Sequence, residues 1–237
     1  MELTEGIILK TMKYQENSKV CYIITKDGLV TALVRASLDY HSKNFSYSQE
    51  LTKIKFAISK SKKNSFDIMT SGMLVDSYLN LKKDYDTLFL ISKLMDLVYK
   101  SIDHVINYQN LYDLFDFTLS NINDNKLTNK RNVVFYPLIL KFKLLYLLGV
   151  GPKFSGCVVC DKKTHNAFSV ERGGVVCRTH QKDQDFVNDY VDVMMVLYLG
   201  HLDKLPTSLI DSIPIESYQV IEEVLTKYYD RYLSIKI

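Results

Sequence analysis

The hydrophobic positions of this chain change period once. Up to about residue 72 they come in short runs, "GIILK", "VCYIITKDGLVTALVRA", "LTKIKFAISK" and "SFDIMTSG", rich in β-branched and aromatic residues and parted by polar breaks. Roughly five strands in about seventy residues, with no helical period between them, predict a small antiparallel β-barrel, with the OB-fold as the leading candidate. Asp27-Gly28 is expected to supply the positive-φ residues of a tight hairpin turn. From Met73 the spacing lengthens. Leu74, Tyr78, Leu81, Tyr85, Leu88 and Phe89, then Leu94, Leu97 and Val98, recur at three- and four-residue steps, the pattern of a buried helix face. Further helical patterns lie in "NLYDLFDFTLSNI", "RNVVFYPLILKFKLLYLLG", "DYVDVMMVLYLGHL" and "IESYQVIEEVLTKYYDRYL"; in the second of these Pro137 should kink the helix or mark its first turn. The expected class is α+β, a barrel domain over 1–72 followed by a helical domain over 73–237, with no internal repeat and no Gly/Ser/Pro linker between them.

Composition narrows this further. A hydrophobic content of 47% with 24% charged residues in 237 belongs to a chain that buries a core. The longest apolar run, "VVFYPLILKFKLLYLL", is broken by Lys141 and Lys143 and is too short to span a bilayer. The opening "MELTEGIILKTMKYQ" has neither the basic start nor the apolar stretch of a secretory signal, so no membrane association and a cytoplasmic location are expected. The net charge of +3 says little, but its distribution says more. Residues 1–72 carry 11 basic and 7 acidic side chains, residues 153–183 carry 6 and 3, and residues 184–237 carry 4 and 9. An anionic partner would therefore meet the barrel or the 153–183 segment.

That second segment holds three of the four cysteines, in "CVVCDKKTHNAFSVERGGVVCRTH". The spacing Cys157-x2-Cys160-x16-Cys177-x2-His180 lets two tight turns each present two donors to one metal ion, and Gly173 and Gly174 give the second turn backbone room. Four filled positions leave none for water, so the expectation is one structural Zn2+. His165, midway in the spacer, is an alternative fourth ligand. A redox Cys157/Cys160 pair would explain neither the second half-site nor the glycines, and Cys21 reads as a small buried hydrophobe. The "GVGPKFSG" just upstream follows a helix rather than a strand, so Gly149 and Gly151 read as a helix C-cap and turn, with Pro152 preventing continuation. No Ser-His-Asp ordering, metalloprotease motif or carboxylate cluster is present, and the chain is not expected to be an enzyme.

The barrel's own basic residues suggest a ligand. Lys53, Lys55, Lys60, Lys62 and Lys63 crowd "KIKFAISKSKKN", and with Lys10, Lys13, Tyr14, Lys19 and Arg35 they could line the basic, aromatic-interleaved groove by which an OB-fold holds single strands, with bases stacking on Tyr14 or its neighbours. The plainer reading is a lysine-rich solvated hairpin.

With these features placed, the chain resembles the bacterial recombination mediator family RecO over nearly its whole length. The likeness is strongest in "KFKLLYLLGVGPKFSGCVVC" followed by "AFSVERGGVVCRTH", and extends to "EGIILKTMKYQENSKVCYIITKDGLVTALVRAS" at the front. His180 stands where the family commonly has cysteine, and "ASLDYHSK" follows Arg35 where the family tends to carry a glycine and several basic residues, which shifts the expected DNA contacts toward Lys53 to Lys63. The resemblance implies an N-terminal OB-fold, a helical bundle and a zinc-stabilised insertion over 153–183. It further implies binding of single- and double-stranded DNA and so a nucleoid-associated location, annealing of complementary strands, and cooperation with RecR to load RecA onto DNA coated by single-strand-binding protein. Docking of that protein's acidic, hydrophobic-ended C-terminal tail is expected on "KLTNKRNVVFYPLILKFK", where Lys126, Lys130, Arg131, Lys141 and Lys143 flank Val134, Phe135 and Leu138; a core helix with basic ends is the competing view. The competing functions are a zinc-ribbon accessory factor in transcription or translation, whose barrel binds protein, and a metal-dependent nuclease.

Overall fold

The structure, a computed structural model, describes residues 3–60, 66–124, 129–187, 190–200 and 205–233. The chain forms two compact units, Met1–Asn123 and Asp124–Ile237.

In the first unit five strands close into a barrel of order β1-β2-β3-β5-β4: β1 (Thr4–Tyr14), β2 (Ser18–Thr25), β3 (Gly28–Val34), β4 (Lys53–Ser59) and β5 (Asp67–Asp76). This is the OB-like barrel that the short runs predict. One seam differs from an all-antiparallel sheet, because β3 meets β5 in parallel at Ala32↔Asp67 and Leu33↔Ile68 to complete the closure. At the β2–β3 hairpin the two loop residues are Lys26 and Asp27, and Gly28 alone carries the positive φ, of 122°. Alternate side chains, among them Ile8, Cys21, Ile23, Val34, Ile54 and Phe56, fill the interior.

The helical spacing expected from Met73 onward begins later. Strand β5 continues to Asp76, paired with Lys53, so Leu74 belongs to a strand and is exposed. Helix α2 (Tyr85–Ser101) starts where the Asp84 carboxylate accepts the Thr87 N–H at 2.8 Å, and its buried stripe is Ile91, Leu94, Met95, Leu97 and Val98; Tyr85, Leu88 and Phe89 face outward. Helix α3 (Tyr108–Asp124) follows. The first compact unit takes in α2 and nearly all of α3 along with the barrel.

The second unit is built on α4 (Phe135–Leu147), buried nearly all round, as a central helix must be. Pro137 sits in its first turn, where a missing N–H costs nothing. At its end Gly149, with φ 74°, donates its N–H to Tyr146 O, and Val150 donates to Leu145 O, both at 3.0 Å, the paired bonds of a Schellman cap. Beyond lie a small sheet of order β7-β6-β8, with β6 (Ala167–Ser169), β7 (Gly174–Val176) and β8 (Phe186–Val187), then α5 (Val191–Leu199), a short α6 (Thr207–Asp211) and α7 (Ser217–Tyr232). The four-residue helix α1 (Lys43–Ser46) lies in the β3–β4 connection. No helix among the described residues is long and apolar enough to cross a membrane.

Candidate metal centre and nucleic-acid surface

Two turns built on backbone hydrogen bonds present the four metal-ligand candidates. In the first, Cys157 N–H donates to Lys162 O and Asp161 N–H donates to Cys157 O, both at 2.9 Å. In the second, the N–H groups of His180 and Gln181 both donate to Cys177 O, at 3.0 and 2.9 Å. Strand β7 holds the turns together: Val158 N–H donates to Val175 O and Val175 N–H to Lys153 O, each at 2.9 Å. This close approach needs Gly174, since a Cβ there would lie 2.3 Å from Lys153 O and 2.8 Å from Val158 Cγ1.

The donor atoms of Cys157, Cys160, Cys177 and His180 all lie within 4.8 Å of one another. Cys160 Sγ is 3.9 Å from Cys177 Sγ, and His180 Nδ1 is 3.7 Å from Cys157 Sγ and 3.3 Å from Cys177 Sγ. A tetrahedron with metal–sulfur bonds of about 2.3 Å has sulfur–sulfur edges of about 3.8 Å, so the set could hold a metal ion with little movement. His165 is engaged elsewhere, its Nδ1 lying 2.6 Å from Asp192 Oδ1. Burial opposes ionisation of the Cys157 thiol, but the N–H groups of Cys177, Val159 and Cys160 and the His180 ring outweigh it and bring its pKa down to about 6. Cys177 is lowered in the same way, against burial, by the His180 backbone and ring. At Cys160 the Lys162 N–H favours the thiolate, yet burial and the neighbouring Cys157 and Cys177 sulfurs push the thiol up. Contact with the Cys157 and Cys177 sulfurs raises the His180 pKa, burial notwithstanding. Negative charge gathered at one point in this way is what a divalent cation relieves.

The expected phosphate contacts separate into two groups. Lys53 is enclosed: its Nζ lies 2.8 Å from Asp116 Oδ2 and 3.2 Å from Glu5 Oε1, while the Tyr112 hydroxyl donates to Glu5 Oε1 at 3.0 Å and the Tyr78 hydroxyl to Asp116 Oδ1 at 2.9 Å. It staples α3 to β1 and β4 and is not free for a phosphate. Lys55 leans on the same glutamate, 3.9 Å from Glu5 Oε2. Lys60 is exposed, and Lys62 and Lys63 lie outside the described residues. Lys10 is exposed, with its Nζ 5.6 Å from the Tyr99 ring centroid.

The second group gathers at one end of the barrel. Lys13 and Lys19 stand directly opposite each other in the β1–β2 register, and Lys19 is paired with Val34, next to the exposed Arg35. Like charges set directly opposite in a sheet repel. Lys19 Nζ donates to Gln49 Oε1 at 3.0 Å and makes no ion pair among the described residues. Tyr14 is half-buried, its ring edge-on to Phe66 with centroids 5.7 Å apart. Three exposed rings outside the expected set lie in the β3–β4 connection, which follows Arg35: Tyr40, His41 and Phe45, the last with Lys19 Nζ 5.6 Å from its centroid. The local signal for them is the aromatic and basic interleaving of "DYHSKNF".

The helical segment expected to receive an acidic tail is occupied by the unit's own core. Phe135 and Leu138 are fully buried, Lys141 is buried in an ion pair with Glu222 of α7, and Lys143 donates to Tyr198 O and, at 2.5 Å, to Gly200 O. Lys130 and Arg131 remain exposed, Val134 is partly buried, and Lys126 lies outside the described residues. The segment therefore presents no open apolar slot at Phe135 and Leu138, because a helix that is apolar all round spends every face on internal packing.

Comparison with known proteins covers both units. Residues 1–78 match the family model Recombination protein O N terminal, and residues 82–237 match Recombination protein O C terminal. The chain is similar to the DNA repair protein RecO of Exiguobacterium sibiricum, 25% identical over 241 residues that cover 100% of this chain and 94% of that protein. It is 26% identical to the DNA repair protein RecO of Bacillus cytotoxicus over 240 residues, 98% of this chain and 92% of that protein. A Bacillus cereus protein of the same name is 25% identical over 240 residues with the same coverage.

Proposed function

This chain belongs to the recombination protein O family and so to DNA repair and recombination, and we propose that it works there as a stoichiometric mediator, its barrel holding DNA by phosphate neutralisation. The observation that carries the reading is the cationic end of the barrel, where Lys13 and Lys19 oppose each other beside Arg35. Repulsion between them is relieved when a polyanion lies across the strands, and each phosphate so neutralised releases counterions. Screening the charge of two complementary strands in this way favours their annealing without nucleotide consumption. Single- and double-stranded DNA are both ligands in this reading. Cooperation with RecR and delivery of RecA to DNA coated by single-strand-binding protein complete the role, and support for that step comes from family membership.

The metal in this reading is one zinc ion, because three thiolates and one imidazole at these separations suit it and every position of the tetrahedron is filled by protein. When bound, zinc supplies a cross-link rather than a reactive centre. Cys157, Cys160, Cys177 and His180 then fix the two turns, and the metal-binding energy becomes folding energy of the β6–β8 segment.

The test is a titration of labelled oligonucleotides across a range of salt concentrations, single-stranded and duplex. Arg35→Gln and Lys13→Gln are each expected to weaken binding and to reduce the slope of log affinity against log salt by about 0.7 per contact on a single strand. A parent protein that binds neither form at low salt would reject the reading and leave the barrel as a protein-interaction module.

A further inference from the structure

The β3–β4 connection carries more than cations. Its aromatic side chains are displayed rather than buried: Tyr40 is 74% and Phe45 36% exposed, and the Tyr40 and His41 rings lie with centroids 3.9 Å apart at an interplanar angle of 40°. A tyrosine this exposed contributes little to a core, so its ring face is available to a ligand.

The segment that displays these rings is held still. Tyr47, at its far end, is 5% exposed within the barrel core, and its hydroxyl donates to Asn44 Oδ1 at 2.5 Å. Asn44 Nδ2 in turn donates to Arg35 O at 2.8 Å, tying the two ends of the connection together. Leu38 N–H donates to Asn17 O at 3.3 Å, which joins the segment to the β1–β2 turn, and His41 N–H donates to Asp39 Oδ1 at 2.9 Å. The rings therefore sit on a pre-formed segment that is tied to the backbone of Arg35, with Lys43 exposed on it and Lys19 Nζ 5.6 Å from the Phe45 ring centroid.

Flat apolar faces alternating with cations match the chemistry of one ligand, a single strand whose unpaired bases are free to stack while its phosphates are neutralised. A duplex offers the phosphates but keeps its bases stacked on one another. We infer that Tyr40 and Phe45, with His41 backing Tyr40, are a base-stacking platform that makes the barrel prefer single strands to duplex. The inference rests on the DNA-binding reading above and adds to it the feature that discriminates between the two forms. It also moves the stacking role from Tyr14, whose ring is partly taken up by Phe66.

Three probes of equal length separate stacking from charge: an oligothymidylate, an abasic oligonucleotide with the same phosphates, and a duplex. Stacking of one base on an aromatic side chain corresponds to roughly 5- to 150-fold in affinity. Tyr40→Ala should weaken oligothymidylate binding by a factor in that range while leaving abasic and duplex binding and the salt slope unchanged. Tyr40→Phe should retain parental affinity, and Phe45→Ala should show the same base-dependent loss. Since Tyr40 makes no core contact, its truncation is expected to preserve the circular dichroism and thermal midpoint of the parent. Equal weakening on the abasic probe would overturn the inference by showing a charge or folding effect, and so would unchanged affinity for oligothymidylate. In either case the parent's own DNA binding would still stand; only a parent that binds no DNA would remove both together.

Discussion

Lys53→Met separates a structural lysine from a DNA-binding one. The side chain is 18% exposed and lies between two carboxylates, Glu5 on β1 and Asp116 on α3, with 33% and 24% exposure. These are not the loose surface pairs that contribute almost nothing. A hydrogen bond to a charged group contributes about 1.5–3 kcal/mol, and removing one partner of a fully buried pair costs about 3–5 kcal/mol. After the substitution Asp116 keeps the Tyr78 hydroxyl and Glu5 keeps the Tyr112 hydroxyl and Lys55, so neither carboxylate is left bare. The expected loss is therefore about 2 kcal/mol, which for a unit of this size lowers the thermal midpoint by roughly 8 °C.

The pH dependence gives an independent reading of the same cluster. Burial works against the Glu5 carboxylate, but Lys53 and the Tyr112 hydroxyl outweigh it and hold its pKa below the ordinary 4.5. Burial likewise works against the Lys53 ammonium, and Asp116 followed by Glu5 outweigh it, holding its pKa above the ordinary 10.5. A lowered carboxylate contributes stability that is complete above about 4.5 and is lost as pH falls through the folded value. A raised lysine contributes stability that is complete below about 10.5 and is lost as pH rises through the folded value. The parent should thus show a stability plateau with two flanks, and Lys53→Met should flatten both. Thermal melts across pH measure this, and the salt slope of single-strand binding should be unchanged in the same variant. An unaltered midpoint together with a reduced salt slope would refute the reasoning and return Lys53 to the DNA surface.

Four further outcomes are expected. Cys160→Ser should lower metal affinity at least about tenfold and expose the segment around 157–187 to protease, while the barrel's oligonucleotide binding persists; stoichiometric metal retained through dialysis against a chelator would contradict the site. Gly174→Ala should cost about 1–3 kcal/mol locally, because the new Cβ meets the Lys153 backbone, and metal content in competition with a chelator should fall with it. Lys141→Ala should destabilise the second unit by about 2–3 kcal/mol by leaving the half-buried Glu222 without its cation, with much of the loss recovered in the Lys141→Met, Glu222→Gln pair; a parental melting midpoint in the single variant would count against the pair. Arg131→Glu should leave folding and metal content unchanged, as its exposed position at the start of a short 3-10 turn requires.

What could be read from the residues alone follows from the range of the interactions involved. The barrel strands, the first-turn position of Pro137, the Gly149 cap and the paired metal turns all depend on neighbours a few positions apart, and each is where the spacing puts it. The expected helix through Leu74 is the instructive exception. Leu74 points to solvent because pairing of Asp76 with Lys53 keeps the backbone extended, and Tyr78 and Leu81 are buried from the turns that follow the strand rather than from a helix. That pairing joins residues far apart in sequence, and no local pattern reports it.

Charge shows the same limit most clearly. Along the chain Lys13, Lys53 and Lys141 are equivalent basic residues near aromatic ones. In the fold Lys53 faces Glu5 and Asp116, Lys141 faces Glu222, and Lys13 faces another lysine. A cation opposite a carboxylate already has its counter-charge and can be removed only at a cost in stability. A cation opposite a cation is stabilised by an anion from outside, and its removal costs affinity instead. The partner across the sheet or helix interface therefore decides whether a lysine belongs to the fold or is free for a ligand, and on that criterion the surface we propose for DNA is the Lys13, Lys19 and Arg35 end of the barrel, with Lys53 left to the fold.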